Sequence, residues 1–364
     1  MTLPVLGILT LYLNDRKHLE EKPVYQKMIS EGKKIGLDVF VFTPADVDHN
    51  KKKIYALEYD PTESIWTRKW RSFPNMIYDR CRIQKSSRFK QLLQFRSRYR
   101  HLLFLNRPLR NKWTIHEVMS HKSEFRPFLP ETRFYSSLSD VYAMLKNHTV
   151  IYVKPINGTG GRGILRIEKL KAPSQYVIQG RNQKREIITP RKLHASRLGS
   201  VLNSWKLNDS YIVQEGISIE LPDGRVHDYR MLVQKNKEGI WQFTGMAGRI
   251  GAPRSVTSNL HGGGKAVPAD TLLEKWITDP TKRKQVSLKA EKFGLETAAY
   301  LEKTYGALCE LALDLAINKY GDIYLLEVNP KPAREVFSQS GEAETYRDAI
   351  VRPMEYALWL YQQQ

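Results

Sequence analysis

The stretch that decides the fold is IYVKPINGTGGRGILRIEKL, residues 151–170. Its two ends alternate apolar and polar residues, a pattern typical of β-strands. The loop between them contains Gly158, Gly160, Gly161 and Gly163, and Lys154 lies just before it. Glycine backbone can approach phosphate oxygens closely, because no Cβ is in the way. The stretch predicts a hairpin that closes over phosphates; a hairpin whose glycine-rich turn has no function is the alternative.

Other glycine loops are distinguished by what surrounds them. A dinucleotide-binding G-x-G-x-x-G loop opens a helix, but ILRIEKL at 164–170 alternates as a strand. A P-loop ends in Gly-Lys-Ser/Thr, whereas this loop ends in Arg162-Gly163. A protein kinase places its lysine after the loop and carries HRD and DFG motifs. Here Lys154 precedes the loop and neither motif occurs, so all three classes are disfavoured.

A pair of carboxylates near the C-terminus points to the same chemistry. CELALDLAI (309–317) and IYLLEVN (323–329) read as two strands. A four-residue turn from Asn318 to Gly321 would place Asp314 opposite Leu325. The residues then expected on one face are Asp314, Glu327 and Asn329.

Three hard oxygen ligands suit Mg²⁺ or Mn²⁺. A solvent-facing polar row is the alternative, and a five-residue turn would break the predicted register. Against that alternative, carboxylates within such apolar strands are costly unless they are paired or metal-bound.

The beginning of the chain predicts a separate lobe. Residues 3–13 and 37–44 read as buried strands, and 22–35 has helical spacing between them. Strand, helix and strand predict a parallel βαβ unit. We therefore expect an α/β lobe over about the first 105 residues.

Beyond Asn111 strands and helices are mixed, which indicates α+β architecture. Residues 231–235 and 240–250 predict antiparallel strands, and 270–306 predicts helix ending at Gly306. Residues 171–207 are polar and basic, and we identify no strong core pattern in them.

Composition narrows the class of protein. The chain has 364 residues, 41% of them hydrophobic, which predicts about two domains and excludes a mainly disordered, collagen-like or coiled-coil protein. The 58 Lys and Arg outnumber the 38 Asp and Glu, so we expect anionic partners. Two cysteines favour a reducing compartment. The apolar stretch Leu3 to Leu13 is too short to span a bilayer and lacks signal-peptide flanks.

A basic run extends from residue 80 to 116 without an acidic residue. Its eleven cations are Arg80, Arg82, Lys85, Arg88, Lys90, Arg96, Arg98, Arg100, Arg107, Arg110 and Lys112. An amphipathic helix with a basic face is the favoured interpretation. Binding of nucleic acid or another polyanion stays open as an alternative.

Several motifs in order resemble the ATP-grasp superfamily over residues 106–364. They are Lys112, Val153 to Gly163, Val213 to Glu215, Asp228 to Arg230, Gly248 to Ile250, Asn259 to Gly264, Asp314, and Glu327 to Pro330. As a whole, the chain resembles the YheC/YheD family of endospore coat-associated proteins. This resemblance implies a Rossmann-like pre-ATP-grasp lobe (1–108) followed by a two-lobed ATP-grasp domain, with a small lobe (109–210) and a large lobe (211–364).

The resemblance also implies an activity and site residues. The implied reaction is ATP- and Mg²⁺- (or Mn²⁺-) dependent carboxylate–amine ligation through an acylphosphate. The residues that the resemblance implies for ATP binding are Lys112, Lys154, Gly158, Gly160, Gly161, Gly163, Gln214, Glu215 and Ile217. The implied catalytic residues are Arg230, Arg249 and Asn259. The implied metal ligands are Asp314, Glu327 and Asn329. The implied substrate contacts are His261 and Arg334.

One motif departs from the family pattern. Many relatives have a glycine after the NP motif, whereas this chain reads NPKPAR, with Ala333 and Arg334. Arg334 is therefore a candidate to bind an anionic group of the substrate. We expect cations to line the approach to ATP, with Arg107, Arg110, Arg249 and Arg334 as candidates.

The expected acceptor is an acidic small molecule, peptide or cell-wall fragment. We expect cytoplasmic localisation in the mother cell or forespore, with spore-coat proteins as partners. The alternatives are a coat component that binds ATP without catalysis, and a nucleic-acid binder, which is disfavoured.

Overall fold

The computed structural model describes residues 3–82, 86–109, 111–158 and 160–364. Lys85 and Arg110 of the basic run lie outside these residues. The chain forms three β-sheets with helices packed against them. Within these ranges, no helix is both long and apolar enough to cross a membrane. Cys81 and Cys309 are buried free thiols.

The first sheet is built from the N-terminal residues. Its elements are β1 (Val5–Leu9), α1 (Lys22–Lys34), β2 (Asp38–Phe42), β3 (Val47–Asp48), β4 (Lys53–Asp60), β5 (Ile65–Ser72), β6 (Met76–Asp79), α2 (Ser87–Arg98) and β7 (Leu103–Phe104). β2, β1, β6 and β7 are parallel neighbours in that order. The predicted βαβ unit is therefore confirmed.

Two features of this sheet differ from a simple parallel sheet or from the predicted bounds. β3, β4 and β5 extend one edge of the sheet with antiparallel pairing. The N-terminal sheet is therefore a mixed sheet, and the fold as a whole is mixed α/β. The first strand is also shorter than 3–13, because beyond Leu9 the chain turns and Tyr12 forms an isolated bridge with Leu19.

The second sheet carries the glycine loop. Its elements are α3 (Lys112–Ser120), β8 (Thr132–Phe134), α4 (Leu138–Asn147), β9 (Val150–Pro155), β10 (Ile164–Lys169), β11 (Gln175–Arg181), β12 (Ile187–His194), α5 (Ala195–Ser204) and β13 (Tyr211–Glu215). The strand order is β12-β11-β10-β9-β13-β8, with antiparallel pairing throughout. β9 and β10 flank the loop as the predicted strand–loop–strand.

Residues 171–207, whose sequence shows no strong core pattern, form regular structure. They form β11, β12 and α5, and they contribute Ile178, Leu198 and Leu202 to the core of the second sheet. β12 is an edge strand with mostly exposed side chains, which explains why its sequence shows little apolar pattern. The spacing of Leu198 and Leu202 is the helical signal that was missed.

The third sheet follows in the chain. Its elements are β14 (His227–Lys235), β15 (Trp241–Ile250), β16 (Lys265–Pro268), α6 (Ala269–Trp276), α7 (Pro280–Tyr305), β17 (Glu310–Ile317), β18 (Ile323–Asn329), α8 (Glu335–Gln339) and α9 (Ala343–Gln362). The strand order is β16-β15-β14-β17-β18, again antiparallel throughout. The predicted helix end at Gly306 is confirmed by its positive φ of 86° at the cap of α7.

The C-terminal helix joins the first and third sheets. α9 buries Ile350, Met354 and Ala357 in the same core as Val24 and Met28 of α1. Burial of apolar side chains is the main favourable contribution to folding, so this contact fixes the N-terminal sheet beside the large one.

The register between β17 and β18 differs from the prediction. The connection has five residues, because Asn318 Oδ1 accepts hydrogen bonds from Tyr320 N and Asp322 N, and Ile317 pairs with Ile323. A β-bulge then adds one residue, Leu326, between the pairs Leu315–Leu325 and Asp314–Glu327. The predicted turn and pairing were wrong, and the bulge makes Asp314 and Glu327 direct neighbours.

Candidate active site

A cleft of about 910 Å³, counting its open mouth, lies between the second and third sheets. Most residues proposed from the sequence line it. They are Lys112, Lys154, Gly158, Gly160, Gly161, Gln214, Glu215, Ile217, Arg249, Asn259, Asp314 and Glu327. Those that do not line it are Gly163, Arg230, His261, Asn329 and Arg334. The cleft thus brings together residues as far apart in the sequence as Lys112 and Glu327.

Two lysines lie in the cleft beside the glycine loop. Lys112, the first residue of α3, donates from Nζ to Gly158 O at 2.7 Å and pairs with Glu327 Oε1 at 3.0 Å. Lys154 on β9 donates from Nζ to Gln214 Oε1 at 2.6 Å. In the part of the chain that the structure describes, no carboxylate bonds directly to Lys154.

Burial and the nearby Lys112 cation lower the pKa of Lys154 to about 8, although Glu327 and Asp314 act in the opposite direction. The same region keeps His116 neutral, since burial and the charge of Lys154 lower the pKa of His116 to about 4. An anion placed beside Lys154 would restore its full charge, because opposite charge favours the protonated amine.

The loop conformation requires glycine. Gly160 and Gly161 have φ of 64° and 73°, in the left-handed region where side chains are strained. A Cβ on Gly161 would come within 2.8 Å of Asn259 Nδ2. The loop therefore approaches the 257–259 segment of the large lobe closely enough that only glycine fits.

A chain of ion pairs crosses the floor of the cleft. Arg230 holds Asp314 with two hydrogen bonds, each of 2.9 Å. Arg249 holds Asp228 with bonds of 2.7 and 2.6 Å, and its Nη2 also lies 3.0 Å from Asp314 Oδ2. Burial alone would raise the pKa of Asp314, but Arg230 and Arg249 lower it to about 2. Asp314 is therefore ionised at neutral pH.

The predicted metal ligands share one face of β17 and β18. Asp314 pairs across the strands with Glu327, and Ala312 with Asn329, so period two puts the three side chains on one side. Asn329 Nδ2 is buried without a hydrogen-bond partner in the described part of the chain. In the same ranges, no three His, Cys, Asp or Glu side chains form a metal cluster by themselves. Two carboxylates and one amide remain a donor set that fits Mg²⁺.

The cleft also has an apolar part that the sequence motifs do not predict. It is lined by Tyr152, Ile164, Ile217, Ile219, Val226 and Leu326, of which only Ile217 was proposed. A signal did exist for Tyr152, because period two places it on the same face of β9 as Lys154. The bulge residue Leu326 and the loop residues Thr257 and Ser258 carried no such signal.

Glu215 has a structural contact besides its place in the cleft. Its Oε2 accepts a hydrogen bond of 3.0 Å from Glu131 N, which ties the end of β13 to β8. Gln214 is anchored as well, since its Nε2 donates to Thr132 Oγ1 at 2.9 Å. This segment between the two lobes is therefore held firmly at the edge of the cleft.

Comparison with known proteins agrees with this geometry. Residues 101–360 match a family model described as YheC/D like ATP-grasp. The chain belongs to the YheC/D-like ATP-grasp family.

Two relatives of this ATP-grasp chain are named as endospore coat-associated proteins. The endospore coat-associated protein YheC of Bacillus subtilis (strain 168) is 29% identical over 338 residues, covering 91% of this chain and 89% of YheC. The endospore coat-associated protein YheD of the same organism is 24% identical over 364 residues, covering 98% of this chain and 79% of YheD. The crystal structure of D-cycloserine synthetase DcsG is similar in fold, with a TM-score of 0.58, 14% identity and 99% of each chain covered.

Arg334 of this ATP-grasp chain does not occupy the position expected for a substrate contact. It is fully buried, and its Nη2 lies 2.5 Å from Glu310 Oε2 and 2.8 Å from the Tyr78 hydroxyl. Arg80 joins the same group through Glu310 Oε1 at 2.6 Å and Glu21 Oε2 at 2.7 Å. The expectation for Arg334 was therefore wrong, because its charge is neutralised between the first and third sheets, by Glu310 and beside Tyr78.

The basic run is also partly neutralised. Arg82 pairs with Glu20 and Glu21, Arg88 with Asp15, and Arg96 with Asp79. α2 presents only Leu92 and Phe95 as buried residues, as expected for an amphipathic helix with a basic face. This pairing leaves fewer free cations for a polyanion than the sequence alone indicates.

His261 and Gly163 sit beside the cleft. His261 is exposed in the short 3-10 helix Leu260–Gly262. Gly163 closes the glycine loop, and its N–H donates to Asn182 O at 3.2 Å. Neither residue lines the cleft, so their predicted roles gain no support from its geometry.

Proposed function

We propose that the protein is an ATP- and Mg²⁺-dependent carboxylate–amine ligase that acts through an acylphosphate. The observation that carries this proposal is the convergence, in one cleft, of the glycine loop, the two lysines and the Asp314–Glu327 pair with its arginines. Family membership supports the same reading, since an ATP-grasp chain is expected to bind ATP.

ATP fits the two halves of the cleft. The apolar half, with Tyr152 and Ile164 on one side and Leu326 on the other, suits a flat purine ring. The polar half offers Lys112, Lys154 and the backbone of the glycine loop for the phosphates. The lowered pKa of Lys154 fits this placement, since a phosphate would bring a counter-charge into direct contact with its amine.

Asp314, Glu327 and Asn329 would hold Mg²⁺, which when bound neutralises phosphate charge. The residues of the chain itself orient these ligands. Arg230 grips both oxygens of Asp314, and Arg249 links Asp314 to Asp228. Arg249 also lines the cleft, so we place its guanidinium beside the transferred phosphoryl group while it stays paired with the two carboxylates.

The proposed chemistry balances in two steps. A carboxylate oxygen of the acceptor attacks the γ-phosphorus, the bond from that phosphorus to the bridging oxygen breaks, and ADP leaves. An amine nitrogen then attacks the acyl carbon, inorganic phosphate leaves, and the nitrogen loses a proton. Both steps need positioning and charge neutralisation more than covalent catalysis. Lys112 and Lys154 supply positive charge, and Arg249 helps to position the phosphoryl group.

The setting of the reaction is part of the proposal. We infer an association with the spore coat, because the relatives are named as endospore coat-associated. We also propose an acidic acceptor, since the chain has 58 Lys and Arg but 38 Asp and Glu, and a location in the cytoplasm of the mother cell or forespore. We also propose lobe boundaries at 1–108, 109–210 and 211–364, with α9 of the last unit packed on the first.

Hydroxylamine can test the proposal before the natural amine is known. It replaces the amine and converts an acylphosphate into a stable hydroxamate. The protein is incubated with Mg²⁺–ATP, hydroxylamine and a panel of acidic amino acids, peptides and muropeptides. We expect equal amounts of ADP, phosphate and one hydroxamate. ATP binding without hydroxamate from any acceptor would contradict the ligase proposal.

A further inference from the structure

Three arginines gather at one rim of the cleft, and the proposed reaction does not use them. Arg181 ends β11, Arg185 lies in the turn to β12, and Arg162 belongs to the glycine loop. Arg181 donates from Nη2 to Arg185 O at 2.9 Å. Burial and then the charge of Arg185 lower the pKa of Arg181, and burial and then the charge of Arg162 lower the pKa of Arg185. We call these residues the arginine cluster.

The arginine cluster lacks counter-charges. Within the described ranges, none of the three forms an ion pair with Asp or Glu. Arg181 is only 4% exposed, yet its acceptors are neutral: Arg185 O and Thr257 Oγ1. Arg185 Nε is buried with no hydrogen-bond partner among the same residues.

Other buried arginines of this chain are neutralised. Arg80, Arg249 and Arg334 each face a carboxylate within 2.6 Å. A buried charge without a partner is costly, and an external anion would offset that cost at the arginine cluster.

Space for the cluster depends on two glycines. A Cβ on Gly160 would lie 2.7 Å from Arg185 Nη2, and one on Gly262 would lie 2.1 Å from Arg181 Nη1. The two guanidiniums therefore face the glycine loop and the segment after Asn259. Both segments border the cleft, because Gly160 and Asn259 line it.

The cluster and the lysines contact different parts of the glycine loop. Lys112 bonds to Gly158 at the start of the loop, whereas Arg185 lies against Gly160 and Gly163 is tied to Asn182 in the cluster's own turn. The phosphates can be neutralised by Lys112 and Lys154 without these arginines. The cluster is then free for a second anion at the rim.

We propose that the arginine cluster binds an anionic group of the acceptor substrate. The acceptor then carries at least one negative group besides the carboxylate that is activated, as an acidic peptide does. Guanidiniums bind such groups through paired hydrogen bonds. This inference rests on the proposed ligase function, because it assigns the anion to the acceptor.

Binding of a defined probe tests the inference. The full chain is saturated with Mg²⁺ and a non-hydrolysable ATP analogue and titrated calorimetrically with tetraglutamate, and with tetraglutamine as the neutral peptide. The variants are Arg181→Gln and Arg185→Gln. The matched control is Arg191→Gln, which removes an exposed arginine from the same hairpin. Arg185 is only partly buried, so its variant serves if Arg181→Gln does not fold.

We expect wild type to prefer tetraglutamate, and each cluster variant to bind it at least about tenfold more weakly, as for loss of a charged hydrogen bond. Arg191→Gln and the affinity for the nucleotide should change less than twofold. No preference in wild type, or an equal loss in Arg191→Gln, would overturn the proposal. An equal loss of nucleotide affinity would assign the cluster to ATP and overturn it as well.

The outcome separates this inference from the proposed function. If the nucleotide does not bind, the ligase proposal fails, and the peptide titration without nucleotide still reports on the cluster. If the nucleotide binds and tetraglutamate does not, only the present inference fails.

Discussion

Two buried carboxylates on the same face of β17 have opposite surroundings. Glu310 and Asp314 lie four residues apart, roughly 13 Å along the strand. Glu310 accepts from Arg80, Arg334 and Gln234 as well as from the Tyr78 hydroxyl. Asp314 accepts from Arg230 and Arg249 and borders the cleft. The first network is closed by residues from two lobes, whereas the second faces open space.

Charges that stabilise the fold can be told from charges that are available to a ligand by whether they border the cleft. Around Glu310, Arg80 and Arg334 are balanced by Glu21 and Glu310, which leaves nothing for a ligand. Beside Asp314, Glu327 pairs with Lys112. Among the residues that the structure describes, the nitrogen of the nearby Lys154 bonds only to neutral oxygens, those of Gln214 and Leu326. Arginine–carboxylate pairing therefore indicates function only where a cleft gives a ligand access.

The largest expected effect is on stability, in the closed network. Arg334→Met leaves a buried carboxylate short of its partner, and we expect a loss of about 3–5 kcal/mol in the free energy of unfolding. Urea unfolding measures it. Arg225→Met, which removes an exposed pair with Asp223, is the control and should match wild type. A stability of Arg334→Met equal to that of wild type would show that the network is not structural.

The next effect is on metal-dependent binding, in the open network. Glu327→Gln keeps the shape but removes one negative ligand, so the Mg²⁺-dependent rise of Tm with ATP should disappear while the Tm without ligand changes little. Differential scanning fluorimetry with Mg²⁺ or EDTA measures this. Glu274→Gln on the exposed side of α6 is the control. A retained Mg²⁺-dependent shift would remove Glu327 from the metal site.

A third effect is the pH dependence of ATP binding. Lys154 is largely protonated below its pKa of about 8, and phosphate binding favours the charged amine. Above that pH, binding must take up a proton, so affinity should fall by up to about tenfold per pH unit. Calorimetry from pH 7 to 9 measures the slope. Lys154→Arg, which stays charged, should flatten it; an unchanged slope would contradict the role of Lys154.

The smallest expected effect distinguishes two cations near the loop. Lys154→Ala should weaken ATP binding more than Arg162→Ala, because Lys154 lies on a strand within the cleft and Arg162 is exposed in the loop. Parallel ATP titrations of both variants decide this. Equal losses would mean that the loop, rather than the strand, determines phosphate binding.

The strands that border the cleft could be predicted from local sequence patterns. The alternation around residues 151–170 depends only on neighbouring residues, so it predicted β9, the loop and β10. The apolar run before Asp314 predicted β17 in the same way. Cleft residues on these strands, such as Lys154, were found because their neighbours define the face.

Distant partners determined what the sequence could not predict. Arg334 meets Tyr78, 256 residues away, and no local pattern at NPKPAR reveals that contact. The bulge at Leu326 depends on how the turn at Asn318 fixes the register. The arginine cluster arises from the packing of the β11–β12 turn against the glycine loop, which the polar sequence of 171–207 does not show.

One titration tests the central claim most directly, namely that Mg²⁺–ATP binds at the open network and not through the closed one. Wild type, Glu327→Gln and Arg334→Met are titrated with Mg²⁺–ATP by calorimetry below their unfolding temperatures. We predict that wild type and Arg334→Met bind with Kd values within about twofold, and that Glu327→Gln binds at least about tenfold more weakly, about 1.4 kcal/mol. Equal binding by Glu327→Gln, with lost binding in folded Arg334→Met, would contradict the account.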